Sequence, residues 1–223
     1  MTDIFEYLRN NSYPGRGLII GRYDGEPVIA YFIMGRSENS RNRIFCKDRE
    51  TVYTKAYDEM KVKDPSLIIY NAIRHIDGMI VVTNGDQTDT ICEFIEKGLN
   101  FQDALETREY EPDAPNYTPR ISGIVERDGS YQIEILKKED DHCRRDHYRY
   151  LPEEGRGHFI STYDHNGDPL PSFSKEPIEI EIAEGLESFA EKLWDSLDHD
   201  NRISLNVRFG NADLLFNKHG GQL

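Results

Sequence analysis

The run Met79-Ile80-Val81-Val82-Thr83-Asn84-Gly85-Asp86-Gln87-Thr88-Asp89-Thr90-Ile91 carries an apolar strand through a polar turn into an amphipathic helix. The short apolar stretch from Met79 to Val82, bounded by hydrogen-bonding side chains, suits a strand. Gly85 lets the backbone turn sharply, and Asp86 or Thr88 can cap the helix that follows. From Thr88 to Lys97 the apolar side is Ile91, Cys92, Phe94 and Ile95, and Gly98 stops it. Such a junction gathers free N–H groups and fixed polar side chains at one point, which suits a polar or anionic small molecule.

Working outward, the segment from about Leu67 to Thr83 predicts a hairpin turning at Asp77-Gly78, although the run Leu67 to Ile76 also fits a helical period. Phe101 to Arg108 predicts a second helix. A Pro-rich acidic loop with Glu109, Glu111 and Asp113 follows, then a hairpin from Arg120 to Lys137 turning at Asp128-Gly129. Toward the N-terminus, Thr2 to Asn11 reads as a short helix with Ile4, Phe5 and Leu8 on one side. Gly17 to Arg22 and Val28 to Met34 read as strands joined through Asp24-Gly25, and Arg36 to Arg43 as a polar loop. Toward the C-terminus, Lys138 to Gly157 is highly charged and reads as a loop or insertion. Phe159 to Tyr163 and Ile178 to Ile182 are expected strands, and Glu184 to Leu197 a helix, since Ile182, Leu186, Phe189, Leu193 and Leu197 recur at helical spacing. Ile203 to Phe209 is expected as the last strand.

Antiparallel hairpins interrupted by paired helices predict an α+β domain with sheets covered by helices. No internal repeat, low-complexity tract or linker divides the chain, so residues 1–223 are expected to form a single domain, with 1–14 as a helical extension. The net charge of −14 argues against general binding to nucleic acid or anionic membranes. It leaves room for an anionic metabolite held by a few local arginines. No apolar run is long enough to span a bilayer, and no signal peptide is evident. Three scattered cysteines, Cys46, Cys92 and Cys143, do not make a disulfide framework, so a cytoplasmic setting is expected.

Two further segments sharpen the reading: Tyr70-Asn71-Ala72-Ile73-Arg74, and Asn116-Tyr117-Thr118-Pro119-Arg120-Ile121, where a lone Arg opens a strand behind a rigid Pro. With the Asn84-to-Ile91 run, Gly21-Arg22, Ala30-Tyr31 through Gly35-Arg36-Ser37, Asn42-Arg43 and Ile160-Ser161-Thr162-Tyr163, they resemble the archaeal-type IMP cyclohydrolase family in register from about Gly15 to Phe173. The Asn-Gly-x-x-Thr-Asp-Thr-Ile and Thr-Pro-Arg-Ile blocks are the most specific. The N-terminal helix and the charged stretch from Lys138 to Arg156 depart from the compact archaeal pattern. They leave open a shifted substrate preference or an altered homo-oligomer.

The resemblance implies a four-layer αββα sandwich of the N-terminal nucleophile hydrolase kind. It also implies ring closure of formamidoimidazole-carboxamide ribotide to IMP, with a small ribonucleotide as the only partner and neither cofactor nor metal. It implies Tyr70, Asn71 and Glu111 as catalytic residues, with Arg36, Arg43, Asn84, Thr88, Asp89, Arg120 and Tyr163 binding substrate. Guanidinium pairs bidentately with phosphate, which suits the arginines. Each residue also has a plainer reading: Tyr70 as a packed aromatic, Arg36 and Arg43 as a solvated loop, Asp86 and Thr88 as helix caps, and Asp89 as a dipole partner.

Rival activities fare less well. Arg16 stands where an N-terminal nucleophile would lie, which disfavours amide hydrolysis by that route. His142-Cys143-Arg144-Arg145-Asp146-His147 lacks a second ligand cluster, and its arginines would repel a cation. No phosphate loop and no Gly-x-Ser-x-Gly elbow is present. A nucleotide-binding homologue without turnover, and an enzyme of a related ribotide or amide, remain the alternatives.

Overall fold

The chain runs α1 (Ile4–Arg9), β1 (Arg16–Tyr23), β2 (Glu26–Met34), α2 (Glu38–Arg41), β3 (Arg43–Asp48), β4 (Thr51–Ala56), β5 (Asn71–Ile76), β6 (Met79–Thr83), α3 (Gln87–Glu96) and α4 (Phe101–Glu106). It continues with β7 (Arg120–Val125), β8 (Tyr131–Glu139), β9 (His142–Tyr150), β10 (Arg156–Ser161), β11 (Ile178–Glu181), α5 (Leu186–Ser196), β12 (Arg202–Phe209), β13 (Ala212–Asn217) and β14 (Gly221–Gln222). This computed structural model describes residues 1–62 and 68–222. Leu67, where the second hairpin was expected to begin, lies outside the described residues; the hairpin itself is β5–β6.

The strands form two antiparallel sheets, ordered β11-β10-β1-β2-β12-β13-β14 and β3-β4-β5-β6-β7-β8-β9. Alternation along β2 explains their stacking. Ile29, Tyr31 and Ile33 face the second sheet and pack with Phe45, Ile73, Val82, Ile121, Ile133 and Ile135. Val28, Ala30, Phe32 and Met34 face outward onto Ile4 and Leu8 of α1 and Phe189 and Leu193 of α5. A strand apolar on both faces is what a doubly covered sheet needs. On the outer face of the second sheet, Val81, Ile124 and Leu136 pack against Ile91, Phe101 and Leu105 of α3 and α4. The four helices that cover the sheets have only 6 to 11 residues, too short to persist alone. Burial of each large apolar side chain, worth about 1.5–3 kcal/mol, holds them in place. The result is an α+β sandwich.

Several expectations give way. The charged stretch expected as a loop is strand: β9 pairs with β8 from Glu139↔His142 to Tyr131↔Tyr150. It is the last strand of its sheet and needs no apolar alternation, because ion pairs such as Lys137–Asp146 at 2.8 Å satisfy its charges. Strands β3 and β4 were not expected, and β13 and β14 follow the strand expected to be last. The loop from Arg36 to Arg43 contains α2, with a reciprocal cap between Ser37 and Ser40. Asp86 occupies the N-cap of α3 but makes no side-chain capping bond. Its carboxylate is drawn to Arg108 and Arg120 instead. Gly85 is not at positive φ; a Cβ there would stand 2.6 Å from Arg120 Nη1 and from Gln87 Oε1 and would push those two side chains aside.

Candidate active site

At the end of the sandwich where β1 begins and β2 ends, a cavity of about 200 Å³ opens between the two sheets. Tyr13, Arg16, Arg36, Arg43, Thr118 and Tyr163 are among its lining residues, with Gly15, Asp113 and Asn116 beside them. Gly15 has φ +80°, and a Cβ there would strike Thr162 Oγ1 at 2.2 Å and the Tyr163 ring at 2.6 Å, so the chain can pass the cavity only without a side chain.

Three guanidinium groups reach this space. Arg16, the first residue of β1, donates from Nη2 to Glu111 Oε1 at 2.8 Å, while its buried Nε has no partner. Arg43, the first residue of β3, is 1% exposed. It donates from Nε to the Ser40 carbonyl at 2.9 Å and from Nη2 to the Met34 carbonyl at 3.3 Å. Its Nη1 has no partner, and no carboxylate pairs with it among the described residues. Arg36 lies over the Tyr13 ring, 4.9 Å from the centroid, and donates to Asn166 Oδ1 and the Gly167 carbonyl. The site is therefore cationic and short of acceptors, although the whole chain is strongly acidic.

Tyrosines surround these cations. Tyr70 and Tyr31 share a hydrogen bond of 2.8 Å that joins the two sheets. Burial pushes both phenols up, against the pull of Arg16 and Arg43. Tyr163 is pushed up to about 12, again mainly by burial, with Arg16 and Thr118 opposing. Burial also lowers Arg43 from its ordinary value and raises Glu111 despite Arg16 and Arg120 nearby. A larger hollow of about 570 Å³ lies against α1 and α5, but there Lys192 is already paired with Glu184. The buried cation with no carboxylate partner among the described residues, Arg43, is in the smaller cavity.

Of the residues expected at the site, Arg36, Arg43 and Tyr163 line this cavity, Glu111 holds Arg16, and Tyr70 lies among the same buried charges. The other five do not line it. Asn71 donates to Asp89 at 2.9 and 3.1 Å, beside Arg74, which donates to Asp89 at 2.8 Å. These groups lie under α3, because successive side chains alternate and Tyr70 takes the inner face. Asn84 is fully buried: its Oδ1 accepts from the Ile121 N–H at 2.8 Å and its Nδ2 donates to the Pro119 carbonyl at 2.9 Å. Thr88 bonds with Thr83 at 2.7 Å and with the Gly85 carbonyl. Arg120 donates to Asp86 at 2.8 Å, Gln87 at 2.7 Å and the Glu109 carbonyl at 2.9 Å. Thr88 fastens the strand–helix turn within itself, while Asn84 and Arg120 clamp that turn to the acidic loop and the strand that follows it.

Sequence reasoning missed Arg16, Tyr13, Tyr31, Asp113 and Thr118 as site residues. A lone cation between two glycines at the mouth of an apolar strand, Gly15-Arg16-Gly17, was the available signal for the first. Among the described residues no three His, Cys, Asp or Glu side chains converge to hold a metal ion, and no helix is long and apolar enough to cross a membrane.

A family model described as IMP cyclohydrolase-like protein matches residues 13–214. The chain is 32% identical over 158 residues to an IMP cyclohydrolase of Methanosphaera stadtmanae, covering 69% of this chain and 75% of the relative. It is 30% identical over 158 residues to one from Methanococcus maripaludis strain C7, covering 68% and 75%. A third, from Methanopyrus kandleri, is 30% identical over 157 residues, with the same coverage.

Proposed function

This chain belongs to the IMP cyclohydrolase-like protein family, and we propose that it is an IMP cyclohydrolase, closing the purine ring of 5-formamidoimidazole-4-carboxamide ribotide with loss of water. The observation that carries this reading is Arg43: a fully buried guanidinium with an unpaired N–H and no carboxylate partner among the described residues, beside Arg16 and Arg36. A buried charge without a counter-ion is costly, so the ligand that belongs there is an anion. The phosphate of a ribotide supplies it, and Arg43 and Arg36 hold it.

The chemistry is intramolecular. The carboxamide nitrogen uses its electron pair to bond the formyl carbon, and the carbonyl π pair moves to the formyl oxygen. The nitrogen loses a proton and the oxygen gains one. The resulting hydroxyl then leaves with the proton of the neighbouring nitrogen as water, giving the C=N bond of IMP. Both reacting groups are on one molecule, so the protein's task is to hold the near-attack rotamer, stabilise the oxyanion and move protons. Arg16, pinned by Glu111, faces the oxyanion, and Tyr70, kept protonated by burial, donates toward it. Asn71, Asn84, Thr88, Asp89 and Arg120 act at one remove, by fixing the segments that carry these groups.

At about 200 Å³ the cavity is smaller than the roughly 300–1,000 Å³ usual for small-molecule sites. The phosphate and reacting atoms enter it, while the rest of the ribotide lies across the mouth, where Arg36 leaves Asn166 and Gly167 to meet the phosphate. The fold is assigned to the four-layer αββα sandwich of N-terminal nucleophile hydrolases, supported by helices packed on the outer face of each sheet. The protein is read as a single-domain cytoplasmic enzyme whose partner is its substrate. The test is to mix purified protein with the ribotide and follow IMP by absorbance and chromatography. Saturable IMP formation that is weakened in Arg43→Met supports the reading, and a rate no higher than background from folded protein overturns it.

A further inference from the structure

One row of hydrogen bonds beside the cavity has a direction that proton counting fixes. Thr118 Oγ1 lies 2.6 Å from Tyr163 Oη and is also bonded to Asp113 Oδ2. A threonine hydroxyl has one proton to give, and a carboxylate can only accept. Thr118 therefore donates to Asp113, and Tyr163 must donate to Thr118. Burial, which keeps the Tyr163 phenol protonated at neutral pH, agrees with that order. The other oxygen of Asp113 accepts the Thr118 backbone N–H at 2.6 Å, so the carboxylate is held in place.

The consequence is an acceptor facing the same cavity as three obligate donors. Arg16, Arg36 and Arg43 can only donate, and each oxygen of Asp113 already accepts a bond from Thr118. Tyr163 has committed its proton to Thr118, so what it offers the cavity is its oxygen lone pairs. Glu111, the other carboxylate near Asp113, has Oε1 engaged by Arg16.

We propose that Tyr163, Thr118 and Asp113 form a proton relay that takes the carboxamide proton as the ring closes; this rests on the cyclohydrolase reading above. As the new C–N bond forms, the nitrogen's proton passes to Tyr163 Oη, the Tyr163 proton passes to Thr118 Oγ1, and the Thr118 proton passes to Asp113. The net change is one proton moved from substrate nitrogen to carboxylate, with the carbonyl π pair placed on the formyl oxygen. The reverse passage returns that proton to the oxyanion. Tyr163 touches the substrate; Thr118 and Asp113 act through it.

The test measures kcat and KM for Thr118→Val, Thr118→Ser and Asp113→Asn, with IMP binding by thermal shift as the check on folding. Thr118→Val and Asp113→Asn should lower kcat on the order of a hundredfold while KM stays within about twofold, and Thr118→Ser should recover most of the rate. Wild-type kcat in Thr118→Val or Asp113→Asn overturns the relay. So does a loss in Thr118→Ser as deep as in Thr118→Val, which would reduce the row to packing. If the wild-type protein binds IMP but forms none from the ribotide, the cyclohydrolase reading fails first and the relay with it.

Discussion

Replacing Arg43 by Met separates the worth of its charge to the fold from its worth to the ligand. In the free protein the guanidinium is 1% exposed and has no carboxylate partner among the described residues, and burial lowers its pKa from the ordinary arginine value. Its charge is thus disfavoured by folding, and an apolar side chain of similar length removes that cost, a gain of about 1–4 kcal/mol in comparable buried sites. Against this, the Ser40 and Met34 carbonyls each lose a donor, at about 1 kcal/mol apiece. The two nearly cancel, so ligand-free stability should change by less than about 2 kcal/mol. Binding should not be spared. Losing one partner of a buried charge-assisted contact costs about 2–5 kcal/mol, at least thirtyfold in affinity. At an IMP concentration of about 100 Kd, the wild type gains about 2.7 kcal/mol from ligand, and a thirtyfold weaker variant gains about 0.9 kcal/mol. For a chain of this length that is a fall in Tm shift from roughly 5–10 °C to about 2–3 °C, readable by thermal melting with and without IMP. A variant that keeps the full shift would mean that Arg43 does not hold the phosphate.

Three other outcomes follow from the geometry. Arg120→Ala should destabilise the protein by about 1–3 kcal/mol, measured by urea unfolding, because the buried Gln87 Oε1 and the Glu109 carbonyl lose their donor while the half-exposed Asp86 keeps Arg108; unchanged stability with a raised KM would restore Arg120 to direct substrate contact. Tyr70→Phe should lower kcat by ten- to a hundredfold with KM nearly unchanged, since packing is kept and only the donor is lost; an unaltered kcat would remove Tyr70 from the proton path. Glu134, 3.1 Å from His147 Nδ1, is pushed up to about 7 by burial, while burial lowers His147. A carboxyl whose folded pKa is raised favours the fold below its unfolded value near 4.5 and loses that advantage as pH rises toward 7. Stability of the wild type relative to Glu134→Gln should therefore fall by on the order of 2 kcal/mol between pH 5 and 7, and parallel pH profiles would show that the carboxyl is not held neutral.

The parts of the fold legible in the sequence were those with a strong apolar period. Val28 to Met34 and Ile121 to Val125 announce strands, and the Ile182-to-Leu197 spacing announces α5, because burial selects those residues directly. Strand β9 was illegible because its residues are chosen for charge pairing at a sheet edge. The site divides along the same line. Arg36, Arg43 and Tyr163, which line the cavity, were named through a resemblance, but Arg16 and Tyr31 meet Tyr70 and Glu111 only when two sheets stack face to face, and no local spacing encodes that. The most recognisable motif, Asn84 to Ile91, spends its polar groups on partners within the protein, backbone for Asn84 and side chains for Asp86, Gln87 and Asp89. A distinctive run of sequence can mark a demanding turn as readily as a ligand contact.

The polar character of β9 also bears on how this protein behaves in a crowded solution. A terminal strand offers a row of unpaired backbone groups on which another chain could build. At the other end of the same sheet, β3 meets this hazard by giving the Phe45 N–H and carbonyl to Asn217 at 2.9 and 3.0 Å. β9 has no such clasp. It carries the exposed charges of Arg144 and Arg149 instead, so an approaching strand would have to strip water from them before its first backbone bonds. Changing those residues to Val or Thr would strengthen β9 by propensity and would turn a finite sheet into a seed for aggregation.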